Sequence, residues 1–161
     1  MSFVHLHTHS QFSMLDSTIR VGDLVSRATD DGVGAVALTD HNNMFGAVEF
    51  FKAAKRADVK PIFGAEVNIV PDDRRDPAAV RSGTIVLLCK GEVGYRNLCF
   101  LLSRCHMDSP PRLTTPRIDH PLLAEHAEGL IALSGSLSGE VPQALLRGDR
   151  DGAAALVRHY Q

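Results

Sequence analysis

Short apolar runs recur along the chain. Between them lie stretches in which the apolar residues have helical spacing. The runs are rich in β-branched residues and too short for buried helices, which indicates β-strands. Five strands are predicted in this way, at residues 3–7, 35–39, 60–70, 84–89 and 130–134.

The stretches between the strands predict amphipathic helices. Val21, Leu24, Val25 and Ala28 fall on one face of a helix that Gly32 ends. Three more helices are predicted: at residues 44–54, at 95–105, and after an N-cap at Asp119 that Pro121 follows. Strands separated by helices favour a mainly parallel sheet with helices outside it, as an α/β barrel or an open sheet.

Polar segments at residues 71–83 and 108–117 are rich in proline and charge, which predicts solvated loops. The segments on either side of these loops are each too incomplete to form a layered fold alone. We therefore expect one domain over residues 1–161. A last helix begins at about Asp149 or Asp151 and reaches Gln161 without a stop signal. We therefore expect the domain to be truncated at its C-terminal side.

Composition narrows the possible classes of protein. No apolar run approaches the roughly 18 residues that cross a bilayer, so no membrane contact is expected. The three cysteines lack CxxC spacing, which is typical of reduced thiols in the cytoplasm. The formal net charge of −2 gives no overall electrostatic signature of nucleic-acid binding.

The segment FVHLHTHSQFSMLD, residues 3–16, carries the first candidate chemistry. In a strand, His5, His7 and His9 would project on one side, and an HxH pair can place two ring nitrogens near one metal ion. The alternative is a histidine-rich edge strand whose rings face solvent.

Further candidate ligands follow later strands. His41 comes directly after the strand at 35–39, and Glu66 lies within or just after PIFGA. Active sites of parallel α/β folds gather where such strands end, so His7, His9, Asp16, His41 and Glu66 are predicted to converge. The alternative is a coincidence of helix caps and surface groups. The neighbouring Asp40 is expected either to cap a helix or to orient His41.

Imidazoles and carboxylates together suit zinc, manganese or iron, and bridging carboxylates allow more than one ion. Such pockets mostly perform hydrolysis, because the ions supply hydroxide near neutral pH and offset charge on a phosphoryl group. Phosphoester cleavage is the first prediction and amidohydrolase chemistry the alternative. The other histidines, His106, His120, His126 and His159, are predicted to be solvated.

The chain resembles the PHP (polymerase and histidinol phosphatase) domain family, in the form found at the amino terminus of bacterial DNA polymerase III alpha subunits and of their error-prone paralogue. The resemblance runs nearly end to end. It rests on the ordered blocks FVHLHTHSQFSMLD, ALTDHNNMFGAVEFFKAAK, KPIFGAEV, GYRNL and LLAEHAEGLIALSGSLSGEVPQALLRGD.

This resemblance implies a distorted seven-stranded (β/α) barrel with a metal cluster. The matched ligand positions are His7, His9, Asp16, His41 and Glu66, with Asp16 and His41 also expected to be catalytic. His5 is expected to support the ligands without contacting the metal itself. Thr84 and Ser136 align with a family histidine and a family cysteine, and these weaker ligands should lower metal affinity. Magnesium joins zinc, manganese and iron as a possible cofactor.

The resemblance also implies function and partners. The parent chain would be a DNA-directed DNA polymerase that contacts DNA, a proofreading exonuclease and a sliding clamp, and this segment would perform metal-dependent 3′–5′ proofreading or have lost that activity. A structural or partner-binding module without catalysis, and a free-standing phosphomonoesterase, are the alternatives.

Overall fold

The structure, a computed structural model, describes residues 3–110 and 115–161 of the chain. Residues 111–114 of the second predicted loop lie outside this part. No helix among the described residues is both long and apolar enough to cross a membrane. All three cysteines are free thiols.

Five strands form the sheet of the described chain. Four of them match predicted strands to within one residue at each end, whereas the short strand β4 was not predicted. The strands are β1 Ala35–Leu38, β2 Lys60–Val70, β3 Gly83–Cys89, β4 Ile118–Asp119 and β5 Leu130–Leu133.

The sheet has the order β1-β2-β3-β5, and β4 pairs with β2. β1 and β4 run parallel to β2, which confirms an α/β class with a parallel component. The expectation of a mainly parallel sheet is wrong, because β2 pairs with β3 and β3 with β5 in antiparallel register. The reason for the first reversal is local: residues 71–82 return the chain as a loop and supply no crossover helix.

Six helices accompany the sheet in the described chain, and the fifth was not predicted from the sequence. They are α1 Val21–Asp30, α2 Ala47–Ala57, α3 Glu92–Asp108, α4 His120–Glu125, α5 Glu140–Leu146 and α6 Arg150–His159. The predicted cap of α4 is confirmed, since the Asp119 side chain accepts a hydrogen bond from Leu122 N with Pro121 in the first turn. Gly32, at φ +65°, follows α1 as expected.

The predicted strand at residues 3–7 is not a strand in the structure. This segment nevertheless runs beside β1, where Ala37 N donates to His5 O at 2.9 Å and Thr39 N donates to Thr8 O at 2.8 Å. The bonds are too widely spaced for a regular ladder. Even so, they hold the histidine segment along the edge of the sheet.

Two apolar clusters account for most of the core. One joins α1 and α2 to β1 around the fully buried Phe50, and the other joins α3 and α4 to β2 and β3 around Leu98 and Leu101. Full burial of each of these large side chains contributes roughly 1.5–3 kcal/mol. Between them, β1 pairs with β2 in parallel register, with Leu38 opposite Phe63, and this pairing sets where the candidate site residues begin.

Candidate metal centre

Glu66 lies in the middle of β2, beside the residues that follow β1. Its backbone N–H donates to Asp40 O at 3.1 Å, and its carbonyl accepts from Asn42 N at 2.7 Å. The parallel pairing of β1 and β2 therefore continues past the end of β1 and sets His41 next to Glu66. Only 7% of Glu66 is exposed, so its carboxylate needs partners inside the fold.

Those partners come from the N-terminal segment. His7 Nε2 lies 2.5 Å from Glu66 Oε2, and His9 Nε2 lies 3.3 Å from the same oxygen. One donor atom from each of the three residues falls within 4.8 Å of the other two, a grouping that could hold a metal ion. The buried His9 Nε2 makes no hydrogen bond in the described structure, because its approach to Glu66 lacks suitable geometry.

The electrostatics of this group favour a charged carboxylate. Burial by itself opposes ionisation of Glu66, but the hydrogen bond to His7 and the close approach of both His7 and His9 outweigh it and hold the Glu66 pKa far below its ordinary value. In turn, the nearby Glu66 carboxylate, 3.3 Å from Nε2, raises the pKa of His9 despite the burial of its ring. Without a metal, Glu66 is an anion that two imidazoles surround.

Asp40 fixes the turn that leads to Asp16. Its buried carboxylate accepts hydrogen bonds from Ser10 N at 2.6 Å, Ser10 Oγ at 2.8 Å and Ser13 Oγ at 2.6 Å. Ser13 Oγ also accepts from His41 N at 3.0 Å. Asp40 therefore caps no helix through its side chain. It joins the turn at 10–13 to the end of β1 and acts on His41 through Ser13.

His41 and Asp16 form a second pair, with His41 Nδ1 3.4 Å from Asp16 Oδ2. The other ring nitrogen, Nε2, lies 3.3 Å from Asn68 Oδ1. Asn68 Nδ2 donates to Pro116 O, so Oδ1 can only accept and the proton of a neutral His41 ring belongs on Nε2. Nδ1 then directs a lone pair at Asp16. Two acceptors this close repel each other unless a cation or a proton lies between them.

The five predicted ligands thus fall into two neighbouring groups. His7, His9 and Glu66 share one centre, whereas Asp16 and His41 lie beside it, with the ring centroids of His9 and His41 6.4 Å apart and nearly parallel. All five line one open cavity of about 650 Å³. A larger hollow of about 870 Å³ is mainly apolar and includes none of them.

Thr84 and Ser136, the positions that align with family ligands, also line this cavity. Both hydroxyls are hydrogen-bonded to the hydroxyl of Ser138, whose Oγ lies 3.0 Å from Thr84 Oγ1 and 3.1 Å from Ser136 Oγ. The three hydroxyls form a neutral part of the cavity lining. A hydrogen-bonded hydroxyl is a weak ligand compared with imidazole or thiolate.

His5 does not join the other two histidines of its segment. It is exposed and packs edge-on against Phe3, with ring centroids 4.8 Å apart. The expected projection of three rings from one strand is therefore wrong, because residues 3–7 lack the regular alternation of a strand.

The prediction of solvated rings is wrong for His120, whose side chain is mostly buried beside an acid, whereas His106 and His159 are exposed as predicted but still make contacts. His120 Nε2 lies 3.1 Å from Glu140 Oε1, and His159 Nε2 lies 3.0 Å from His120 Nδ1. His106 Nε2 contacts Asn42 O at 2.8 Å. These partners are 20 to 64 positions away, beyond the reach of local spacing.

Sequence reasoning missed Arg81 and Ser138, which line the cavity, and Asn68, which contacts His41 and Arg81 beside it. A signal existed for Asn68, because it lies two positions after Glu66 on β2 and therefore on the same face. Arg81 and Ser138 come from irregular segments, where periodicity gives no orientation. Only the folded chain shows that they border the candidate site.

Comparison with known proteins bears on the family of the chain. The profile of the PHP domain matches residues 5–161. Three relatives are each a DNA polymerase III subunit alpha. The one from Chlamydia trachomatis is 44% identical over 94% of this chain and 12% of its own length, that from Treponema pallidum 42% over 100% and 14%, and that from Thermus aquaticus 43% over 96% and 13%.

The chain spans 12–14% of the length of these three relatives. Among solved structures, a candidate metal-dependent phosphoesterase from Bifidobacterium adolescentis is 17% identical, with a TM-score of 0.42 over 98% of this chain and 58% of that one. The observed α/β sheet, with its parallel component, fits part of the barrel that the sequence resemblance implies.

Proposed function

The chain belongs to the PHP-domain family, and on this premise we propose that residues 1–161 form a metal-binding domain of the phosphoesterase type in a bacterial DNA polymerase III alpha subunit. The observation that carries the proposal is the convergence of His7, His9 and Glu66 on one cavity. We prefer this assignment to a free-standing phosphomonoesterase because the three relatives named above are all polymerase subunits.

The residues of the centre fit a divalent ion. Metal–nitrogen and metal–oxygen bonds of about 2.0–2.2 Å in tetrahedral geometry put neighbouring donors roughly 3.3 Å apart. His9 Nε2 and Glu66 Oε2 already have this separation, and His7 Nε2 would move away from Glu66 by less than about 1 Å. The buried His9 Nε2, which lacks a hydrogen bond, supports the assignment. Two imidazoles favour zinc, manganese or iron over magnesium.

In the proposed reaction, Asp16 and His41 are the catalytic pair at the edge of the centre. When bound, a divalent ion would polarise a phosphoryl oxygen and make water a nucleophile near neutral pH. Asn68 holds the His41 ring by its Nε2, so Nδ1 stays directed at Asp16. The pair can take up a proton or extend the ligand set to a second ion, and the half-exposed Asp16 carboxylate is open to substrate.

For the whole protein we propose DNA-directed DNA polymerase activity, with DNA, a proofreading exonuclease and a sliding clamp as partners. In that setting the substrate would be the phosphodiester bond at the 3′ end of DNA. Metal-dependent hydrolysis of this bond would release the terminal nucleotide. The names of the relatives support the polymerase, and the cavity chemistry supports the hydrolysis.

A second candidate function is a structural or partner-binding module without catalysis. The hydroxyls of Thr84, Ser138 and Ser136 favour this candidate, because they bond to one another. Imidazole and thiolate in place of Thr84 and Ser136 would make a stronger ligand set. A centre with only three strong ligands could retain one ion that stabilises the fold.

Metal analysis of the purified protein tests the shared premise of both candidates. We expect at least one zinc, manganese or iron ion per chain, and loss of that ion in His7→Ala/His9→Ala. His5→Ala is the matched control, since His5 belongs to the same segment but is exposed and lies outside the centre. Metal content in the wild type no higher than in the double variant would reject the proposal.

A labelled primer separates the two candidates. If the domain is an enzyme, the 3′-labelled primer shortens when manganese is added, and Asp16→Asn abolishes the shortening without loss of bound metal. If the domain is structural, the primer stays intact while His7→Ala/His9→Ala lowers the melting temperature or weakens partner binding.

A further inference from the structure

Arg81 is the one lysine or arginine among the described residues that line the candidate metal cavity. The same wall carries two carboxylates, Asp16 and Glu66, and is otherwise made of imidazoles, hydroxyls and an isoleucine. A single permanent cation in an acidic cavity calls for an explanation, because a surface arginine gains little from weak pairing in water. Among the described residues Arg81 makes no ion pair that would account for its position.

The guanidinium is held by a side chain that also holds His41. Arg81 Nη1 donates to Asn68 Oδ1 at 2.9 Å, and the same oxygen faces His41 Nε2 at 3.3 Å. The amide cannot turn over easily, since its Nδ2 donates to Pro116 O at 3.0 Å. Asn68 therefore keeps Arg81 and the proposed catalytic histidine in a fixed relation on one side of the cavity.

The backbone that presents Arg81 is anchored on both sides. After it, Ser82 bonds to Ile69 O through both its backbone N–H, at 2.9 Å, and its hydroxyl, at 3.0 Å. Before it, the buried Arg117 donates through Nη1 to Ala79 O at 2.6 Å. Although residues 71–82 contain no helix or strand, the position from which Arg81 extends is well determined.

We propose that Arg81 binds a non-bridging oxygen of the substrate's phosphoryl group and thereby selects an anionic phosphoester over a neutral carbonyl substrate. This inference rests on the proposed function and deepens it. An arginine has five donors in a planar fork that matches phosphate oxygens, and Asn68 engages only Nη1. The fork is available to a ligand on the exposed side of the loop.

Charge explains why Arg81 would favour a phosphoryl group over a carbonyl group as the reacting centre. Asp16 and Glu66 repel an anion, and a divalent ion at the centre offsets that repulsion but also attracts a carbonyl oxygen. Arg81 adds a charge-assisted hydrogen bond that a phosphoryl oxygen accepts strongly and a neutral amide accepts weakly. The amidohydrolase alternative gives no role to such a cation.

Calorimetric titration of the whole protein with inorganic phosphate tests the inference, both metal-free and saturated with manganese. We expect Arg81→Gln to weaken phosphate binding by about tenfold or more in each state, because a hydrogen bond to a charged group is lost. Arg81→Lys should restore only part of the affinity, since the charge returns without the fork. The matched control is Arg75→Gln, on the same loop and equally cationic but outside the cavity lining.

The outcomes separate this inference from the proposed function. Equal phosphate affinity of wild type and Arg81→Gln, or an equal loss in Arg75→Gln, overturns the role of Arg81 even if manganese binds as expected. Absence of phosphate binding by the wild type overturns it as well. If manganese does not bind, the proposed function fails, and the metal-free titration still decides for or against Arg81.

Discussion

His7 Nε2 lies 2.5 Å from Glu66 Oε2, although 59 positions separate the two residues along the chain. This contact joins the N-terminal segment to the middle of β2 and gives a buried carboxylate a partner. It also occupies the oxygen that a metal would use. Metal binding would therefore replace the hydrogen bond between the two side chains with a bond from each of them to the ion.

The first prediction concerns Glu66. We expect Glu66→Gln to weaken manganese binding by roughly tenfold or more, because the only carboxylate of the three-residue centre is replaced by a neutral amide. Calorimetric titration measures the effect. Glu49→Gln, an exposed change on α2, should leave affinity within about twofold; equal weakening in both variants would contradict a direct role for Glu66.

The second prediction concerns Asp40, which accepts three hydrogen bonds from Ser10 and Ser13. Asp40→Ala should lower the free energy of unfolding by about 3 kcal/mol, because buried donors lose a charged acceptor. Metal or phosphate affinity should also fall as the turn that carries Asp16 loosens. Urea unfolding gives the first quantity. Asp72→Ala, at an exposed loop position, should change it by less than about 0.5 kcal/mol.

The third prediction compares two helical glycines. A methyl group at Gly94, in α3, would lie 1.9 Å from the backbone oxygen of Gly129, whereas one at Gly22, in α1, would meet nothing within 4 Å. Gly94→Ala should therefore destabilise the fold by about 2–3 kcal/mol. Gly22→Ala should stabilise it by about 0.5 kcal/mol through helix propensity. Melting temperatures that shift in the same direction would be inconsistent with the packing described.

The fourth prediction is a pH dependence at Glu140. Burial alone would raise the pKa of this carboxyl, but hydrogen bonds, chiefly from His120 and also from Tyr160, lower it from 4.5 to about 2. A lowered folded-state pKa means that the ionised group stabilises the fold above pH 4.5. That contribution is lost as the pH falls from about 4.5 towards 2.

Urea unfolding of wild type and Glu140→Gln across this range measures it. The stability advantage of the wild type should be constant near neutral pH and shrink steadily below about pH 4.5. Glu128→Gln, an exposed change nearby in sequence, should follow the wild type at every pH. An advantage that grows on acidification would mean that the sign of the shift is wrong.

Periodicity and end signals predicted the regular elements well where local forces dominate. The stripe from Val21 to Ala28, the cap at Asp119 and the strand at 60–70 are all present. Prediction was poorer at residues 3–7, where the alternating histidines look like a strand but, among the described residues, one backbone bond, from Ala37 N to His5 O, joins the segment to β1. It also missed the antiparallel return of β3, because nothing in a loop's composition states which way the next strand will pair.

By itself, the sequence determined the family, the α/β class and five residues of ligand type, because each of these depends on local order or on residue chemistry. The tertiary structure decided the rest. It separated His7, His9 and Glu66 from Asp16 and His41, excluded His5, and brought Arg81 to the cavity and Asn68 against His41. The physical reason is that distances between side chains far apart in sequence are set by strand register and by buried polar networks, and neither leaves a periodic trace along the chain.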